Sequence, residues 1–534
     1  MSRLKVRSMN IARDEKEDML SIKKVDRMIF WLFLGALTLV PLVIGAKANL
    51  FVSPLVSGNG ITSSGYQLDF FTYFKFVFLI IFTVSSLMLF LYKTLFLNYK
   101  IKMNLVSFSL LAFLVALTLS VLLAEYKSIA LWGLYDRYDG ALTFICYAVL
   151  MFIALHITYP KNTLNKLVYA LYPFVWINVL ISLLNLYGIN ILQNAAFKKV
   201  FTVFLMDESN INEWSVLTGT LNQWNYMSGY SAVMAIIFLT LVVFYGSIKV
   251  RIINLLTSIA AFSTILASIS TSGFVSLIGM MLLLITLIFL KQNRKKAFFW
   301  LMSFLLLASF STVMLAKQNP TVWTESFGFF VKTNPFAHVE GAAQHYLFDQ
   351  NKASASEVEG AAQHHLFVQN KASASDNELK LPELPERSIS GGSGRIYIWE
   401  NMIPLIKKRP LFGYGLDTLT YHFPQNDINK RDGFWDENTI VDKPHNLYIG
   451  ILYGTGLLGL LCFIAFVIIY TLNLSKYVIK DMHSPIIWAL ALGWGSFLIQ
   501  ALFNDSVIGA TFVPLLATSI AYAISNRQLE EEIS

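Results

Sequence analysis

Apolar runs of about 20 residues, separated by short polar stretches, recur from residue 28 to residue 524. As helices rising 1.5 Å per residue, such runs cross a hydrocarbon core of about 30 Å. The pattern predicts twelve spans, over residues 28–45, 70–92, 103–123, 141–158, 166–190, 223–245, 252–269, 274–290, 298–316, 446–472, 486–503 and 507–524. Residues 252–290 are too long for one helix, and "STSGF" at 270–274 reads as a hairpin between two. Hairpin backbone at that depth must be buried in protein or line a wet cavity.

Composition agrees with this pattern. The chain is 55% hydrophobic and only 14% charged, against about 25% charged in soluble domains. Its mean hydropathy is +0.56. The net charge of +8 sits mostly in short loops, so it reports topology and not a nucleic-acid partner. Alternate loops hold Lys93, Lys100, Lys102, Lys161, Lys166, Lys249, Arg251, Lys291, Arg294, Lys295, Lys296, Lys476 and Lys480, while the opposite set is poorer, with Lys47, Lys127, Arg137, Lys198 and Lys199. Positive-inside bias then predicts both termini in the cytoplasm and the long segment between spans nine and ten outside. The expected organisation is a cytoplasmic tail (1–27), spans one to nine (28–316), an extracytoplasmic loop carrying short helices (317–445), spans ten to twelve (446–524) and a second cytoplasmic tail (525–534). The first segment mixes charge signs, unlike a signal peptide, so the first span is expected to be retained. Cys146 and Cys462 lie within apolar runs and suggest no disulfide framework.

The outer segment contains a tandem duplication of 19 residues, "HVEGAAQHYLFDQNKASAS" (338–356) and "EVEGAAQHHLFVQNKASAS" (357–375). A solenoid needs at least about three repeats, so the pair reads as linker. His345, His364 and His365 fit no zinc spacing, and no metal site is expected. Within "SGGSGRIYIWENMIPLIKKRPLFGYG" (390–415), Ile396, Trp399, Ile403 and Ile406 recur at helical spacing. Arg395 falls at the start of that helix, near backbone N–H groups that favour anions. Residues 417–446 are rich in polar, aromatic and cationic groups and end in Pro444, His445 and Asn446, directly before span ten.

Several chemistries are excluded by absence of signature. There is no GxxxxGK[ST] loop, no GxGxxG after a strand, no Asp-x-Asp pair and no G-x-S-x-G elbow. A site on the outer face must use an energy source already present there, and a lipid-linked pyrophosphate sugar is one. Its leaving group gathers negative charge and needs fixed cations, for which the planar fork of arginine is well suited. Its acceptor hydroxyl must lose a proton, which suits histidine at neutral pH. His445 and Arg395 supply these types, with Arg137 in "WGLYDRYDG" (132–140) and Lys75 near the outer end of span two as further cations. Each also has a plain structural reading. His445 can be an interfacial residue, Arg137 an ion-pair partner of Asp136 or Asp139, Lys75 a snorkelling side chain, and Asp417 a solvated loop residue. Residue chemistry alone gives a membrane enzyme or transporter with an external polar site.

A chain of motifs narrows this. "YDRYDG" (135–140), "GTLNQWNY" (219–226), "SGRIYIWENMIPLIKKRPLFGYG" (393–415), "PHNLYIGILYGTGLLG" (444–459) and "FNDSVIG" (503–509) together resemble the O-antigen ligase/polymerase superfamily of bacterial membrane glycosyltransferases. The resemblance implies an all-α polytopic fold of the C-type membrane glycosyltransferase kind, in the cell membrane, with an extracytoplasmic site. It implies metal-independent, inverting transfer of a glycan from undecaprenyl pyrophosphate to a glycan, lipid or protein acceptor, without a cofactor. His445 is implied as the base and Arg395 as a pyrophosphate contact, with Asn225, Tyr226, Asn446 and Asp417 in support. Many members carry an arginine in the hairpin that corresponds to "STSGF". This chain has none there, which leaves Arg137 and Lys75 as the replacements expected at the pyrophosphate. Ligase and polymerase share donor chemistry and stay open as alternatives. A flippase or transporter is the third reading, set against the absence of clear internal symmetry and the scarcity of intramembrane charge.

Overall fold

The structure, a computed structural model, describes residues 15–52, 65–189, 219–221, 223–290, 294–331, 333–336, 385–434, 439–479 and 484–533, with positions 191, 194 and 199. The duplication at 338–375, its three histidines and Lys198 lie outside the described residues. Helices stand at all twelve predicted positions. They are α1 (Glu15–Leu39), α2 (Tyr73–Leu95), α3 (Leu105–Leu123), α5 (Ala141–His156), α6 (Thr163–Leu186), α7 (Trp224–Phe244), α8 (Ile248–Ala267), α9 (Thr271–Leu290), α10 (Arg294–Gln318), α15 (Leu447–Ile479), α16 (Pro485–Gln500) and α17 (Phe512–Ile533). Short helices α4 (Lys127–Trp132), α11 (Thr321–Thr324), α12 (Arg395–Lys408), α13 (Leu419–His422) and α14 (Lys430–Phe434) lie between them.

Among the described residues, eight helices are long and apolar enough to cross a membrane. The other four predicted spans fall short for physical reasons. α5 and α16 have 16 residues each, and α1 and α17 carry charged ends. α7 is apolar on all sides, and 94% of its most apolar stretch is buried, which makes it the central mast of the bundle.

Three local expectations change. The first predicted span reaches residue 45, but α1 stops at Leu39 and Lys47–Phe51 pairs antiparallel with Gly65–Asp69 as a two-stranded ribbon. The α8–α9 hairpin turns at residues 268–270, so Ser272 and Gly273 already belong to a helix. Gly273 packs on Ser228, where any side chain would collide with its carbonyl. On α12 the buried residues are Tyr397, Ile398 and Met402, while Ile396 and Ile403 are exposed. Its aromatic side is the one that packs, Tyr397 against Phe423 and Phe434.

α15 is broken at Gly456, whose φ of 67° and ψ of −170° are non-helical. The segment "PLFGYG" at 410–415 lies along the break and takes up the freed backbone groups. Leu457 N donates to Pro410 O at 2.7 Å, Tyr414 N to Tyr453 O at 3.0 Å and Gly415 N to Gly454 O at 2.8 Å. Ser120 from α3 adds a hydrogen bond to Gly454 O. Irregular backbone inside an apolar bundle persists only where protein satisfies it in this way. Two glycine-rich motifs are thus halves of one joint, which fixes the 410–415 segment to the helix that follows His445.

Candidate active site

The bundle end where α7 and α17 begin and α16 stops also holds the start of α15. The residues before α15 are pinned there by backbone and side chain. Leu447 N donates to Ala501 O at 2.9 Å, and Asn446 Nδ2 to Leu502 O at 3.0 Å. Asn446 Oδ1 accepts from Ile449 N at 3.0 Å, the bond expected of a helix cap. Trp399 of α12 donates from Nε1 to Pro444 O at 2.8 Å.

His445 sits between these anchors with a left-handed backbone, φ 52°. Among the described residues seven non-glycine residues have positive φ, and Tyr138, Ile269, Ser393, Asp417 and His445 belong to this site's segments, with Asn98 and Asn162 elsewhere. Costly backbone held by its surroundings in one place is a feature of functional sites. His445 Nδ1 lies 2.9 Å from Asp505 Oδ2. An ionised carboxylate only accepts, so Nδ1 carries the proton and Nε2 presents its lone pair. Burial works against the charged imidazolium, but the Asp505 carboxylate outweighs it and holds the His445 pKa above its ordinary value. Asp505 is shifted below the usual carboxylate range: burial opposes its charge, and His445 and nearby cations more than compensate.

Beside this pair, the "DRYD" and "DK" segments interlock. Arg137 pairs with Asp442 and, at 3.1 Å, with Asp417, while Lys443 lies 3.3 Å from Asp139. Asp417 also accepts from Leu134 N at 2.7 Å. Burial favours the neutral amine of Lys443, but Asp139 outweighs it and keeps its pKa above the usual value.

A cavity of about 260 Å³ opens between these walls, lined by His445, Lys75, Arg137, Gln223, Tyr226 and Ser506 among others. Lys75 is buried and donates to Val43 O at 2.6 Å and Phe71 O at 2.8 Å. An ammonium has three N–H bonds, so one remains for a ligand. Arg395 stands beside this lining, near enough to Asp505 to feel its charge, and donates from Nη2 to Phe503 O at 3.3 Å. Burial lowers its pKa, partly offset by Asp505 and Tyr226, and a guanidinium remains charged at neutral pH all the same. Its Nε is buried without a hydrogen-bond partner.

Four consecutive residues tie the site together. Phe503 O accepts from Arg395, Asn504 Nδ2 reaches Gln500 Oε1 at 2.8 Å, Asp505 holds His445, and Ser506 O lies 3.5 Å from Lys443 Nζ. Asn504 also approaches the α8–α9 hairpin, 3.5 Å from Ser272 Oγ. There Ser270 Oγ donates to Asn225 Oδ1 at 2.6 Å, and Ser228 Oγ to Ser270 O at 3.0 Å. Neutral hydroxyls and amides, and no arginine, occupy the hairpin.

All eight residues singled out in the sequence fall in or around this one site. His445, Lys75, Arg137 and Tyr226 line the cavity. Arg395 is at its edge, Asn225 holds the hairpin, Asn446 caps α15 and Asp417 anchors Arg137. Sequence reasoning missed Asp505, Asp442 and Lys443 as site residues. The "FNDSVIG" motif carried Asp505 in view, but nothing in its local spacing pairs residue 505 with residue 445.

Comparison with known families bears on this geometry. Residues 256–464 match the family model described as O-antigen ligase. The chain carries an O-antigen ligase-family domain. The matched stretch contains the hairpin, Arg395, Asp417 and His445 of this O-antigen ligase-family domain, while Lys75, Arg137, Tyr226 and Asp505 join them from outside it. No curated protein matches the chain. The protein is mostly helical, with eight described helices long and apolar enough to cross a membrane, and its residues 256–464 are similar to the O-antigen ligase family.

Proposed function

We propose that this protein transfers a glycan from undecaprenyl pyrophosphate to an acceptor hydroxyl, with His445 as general base. The observation that carries the reading is the His445–Asp505 pair opening onto a cavity beside cations. His445 Nε2 takes the acceptor proton as the oxygen attacks the anomeric carbon. The bond from that carbon to the phosphate oxygen breaks on the opposite face, inverting the centre, and its electron pair leaves with the pyrophosphate. The step calls on protein groups alone, with no metal.

Charge in the site decides which cations serve the leaving group. Lys75, Arg137, Arg395 and Lys443 face Asp69, Asp136, Asp139, Asp417, Asp442 and Asp505, so most positive charge is already matched. Arg137 and Lys443 have carboxylate partners, whereas the hydrogen bonds of Arg395 and Lys75 go to carbonyl oxygens. Arg395 and Lys75 are therefore assigned to the pyrophosphate, and Arg137 to holding the wall. The membrane reading that accompanies this has twelve spans, cytoplasmic termini, and the site with its 317–445 loop on the extracytoplasmic face of the cell membrane. Positive-inside bias supports it.

Reconstitution in proteoliposomes with an undecaprenyl-pyrophosphate glycan, with and without a candidate acceptor, tests the function. Release of undecaprenyl pyrophosphate with one-step capture of the glycan by the acceptor is expected of a ligase. Growth of a ladder without added acceptor is the result expected of a polymerase. An intact donor that only changes leaflet would replace both with a flippase.

A further inference from the structure

A second cavity lies at the opposite end of the bundle. α5, α7 and α17 start at the His445 end and α16 finishes there, and this cavity is lined by Tyr159 after α5, Tyr245 after α7, Arg527 late in α17 and Ser484 before α16. The 16 residues of α5 alone separate the two by about 24 Å. Its volume is about 490 Å³, ample for a phosphate group with its substituents.

Charge here is one-sided. Among the described residues, Lys161 and Arg527 line the cavity and no carboxylate does. The acid behind its wall, Asp26, is already engaged, with Lys93 Nζ at 2.6 Å and the Thr158 N–H at 2.8 Å. Lys161 has no partner among the described residues, and Arg527 donates from Nη2 to Ile157 O at 2.6 Å, leaving the rest of its fork open. α6 and α16 both begin at this cavity, without a side-chain cap and without an acidic residue in the first turn, so their backbone donors add to the same field.

We propose that this cavity binds a phosphate-bearing anion, either the headgroup of an anionic phospholipid or free phosphate. The paired cations supply charge-assisted hydrogen bonds to phosphate oxygens. The site is separate from glycan transfer, and transfer activity plays no part in its test.

The purified full-length protein is exchanged into nanodiscs of phosphatidylcholine with and without phosphatidylglycerol, and lipid retained after detergent release is counted by native mass spectrometry. In parallel, millimolar inorganic phosphate is tested for its effect on the melting temperature. Retention of phosphatidylglycerol over phosphatidylcholine identifies a lipid headgroup, and a rise in melting temperature with phosphate alone identifies the free anion. Lys161→Gln should weaken whichever binding is seen by about fivefold. Asn162→Asp should weaken it at least as much by placing a carboxylate at the lip. It should leave melting temperature without ligand unchanged or raised, because negative charge suits the start of α6. Neither ligand binding to the native protein, or both variants binding like it, would overturn the proposal.

Discussion

Replacing His445 with alanine should cut glycan transfer by about 10²–10⁴-fold, the usual worth of a positioned general base. The side chain is 32% exposed, so its removal opens no large core cavity. One effect must be kept apart from lost proton transfer. Alanine is poorly suited to the left-handed backbone at φ 52°, at a cost of roughly 1–2 kcal/mol. Asparagine tolerates that conformation, so His445→Asn is the companion variant. A loss shared by both variants, with elution and melting like the native protein, assigns the effect to the missing base. Transfer at the native rate by His445→Asn would remove His445 from the chemistry.

Gly456→Ala should prevent accumulation of a monodisperse protein. The φ of 67° with ψ of −170° is a conformation essentially reserved for glycine and costs an alanine roughly 1–3 kcal/mol by itself. Its methyl would also meet the backbone of Leu411 and Phe412, which are seated in the break. Relief by withdrawing the 410–415 segment would leave buried backbone groups unpaired at about 1–3 kcal/mol each. That segment is continuous with α12 and Arg395, so any protein that does fold should lose transfer as well. Size-exclusion profile and melting temperature in detergent are the measurements. A Gly456→Ala protein that elutes and melts like the native one would mean that the joint is incidental.

How much of this the chain discloses in advance depends on the range of the interaction. Twelve helical positions follow from apolar runs, because lipid-scale hydrophobicity is a property of consecutive residues. The two-stranded ribbon is missed because Lys47–Phe51 and Gly65–Asp69 pair across a gap and have no periodic signature of their own. The face of α12 is misread because Ile396 and Ile403 look like core by spacing, while packing by Tyr397 turns the other side inward. His445 and Arg395 are visible as unusual residues in a motif order. Asp505 is 60 residues from His445, and only the folded bundle brings its carboxylate to Nδ1. The same holds for Lys443 with Asp139, 304 positions apart. "GTGLLG" and "PLFGYG" look like separate packing motifs until Gly456 opens the helix and makes them one joint.

In the proposed mechanism Asp505 orients His445 and tunes it as the base for transfer. The direct measurement is the pH dependence of single-turnover transfer from an undecaprenyl-pyrophosphate glycan, for the native protein and for Asp505→Asn. The base must be neutral to act, so the rate falls as pH drops through the His445 pKa. Burial alone would lower that pKa; the Asp505 charge holds it above the ordinary value, and removing the charge must let it drop. Asp505→Asn is expected to show a lower maximal rate and an acidic limb displaced to lower pH. A lower rate with the limb unmoved would contradict it and leave Asp505 as scaffolding.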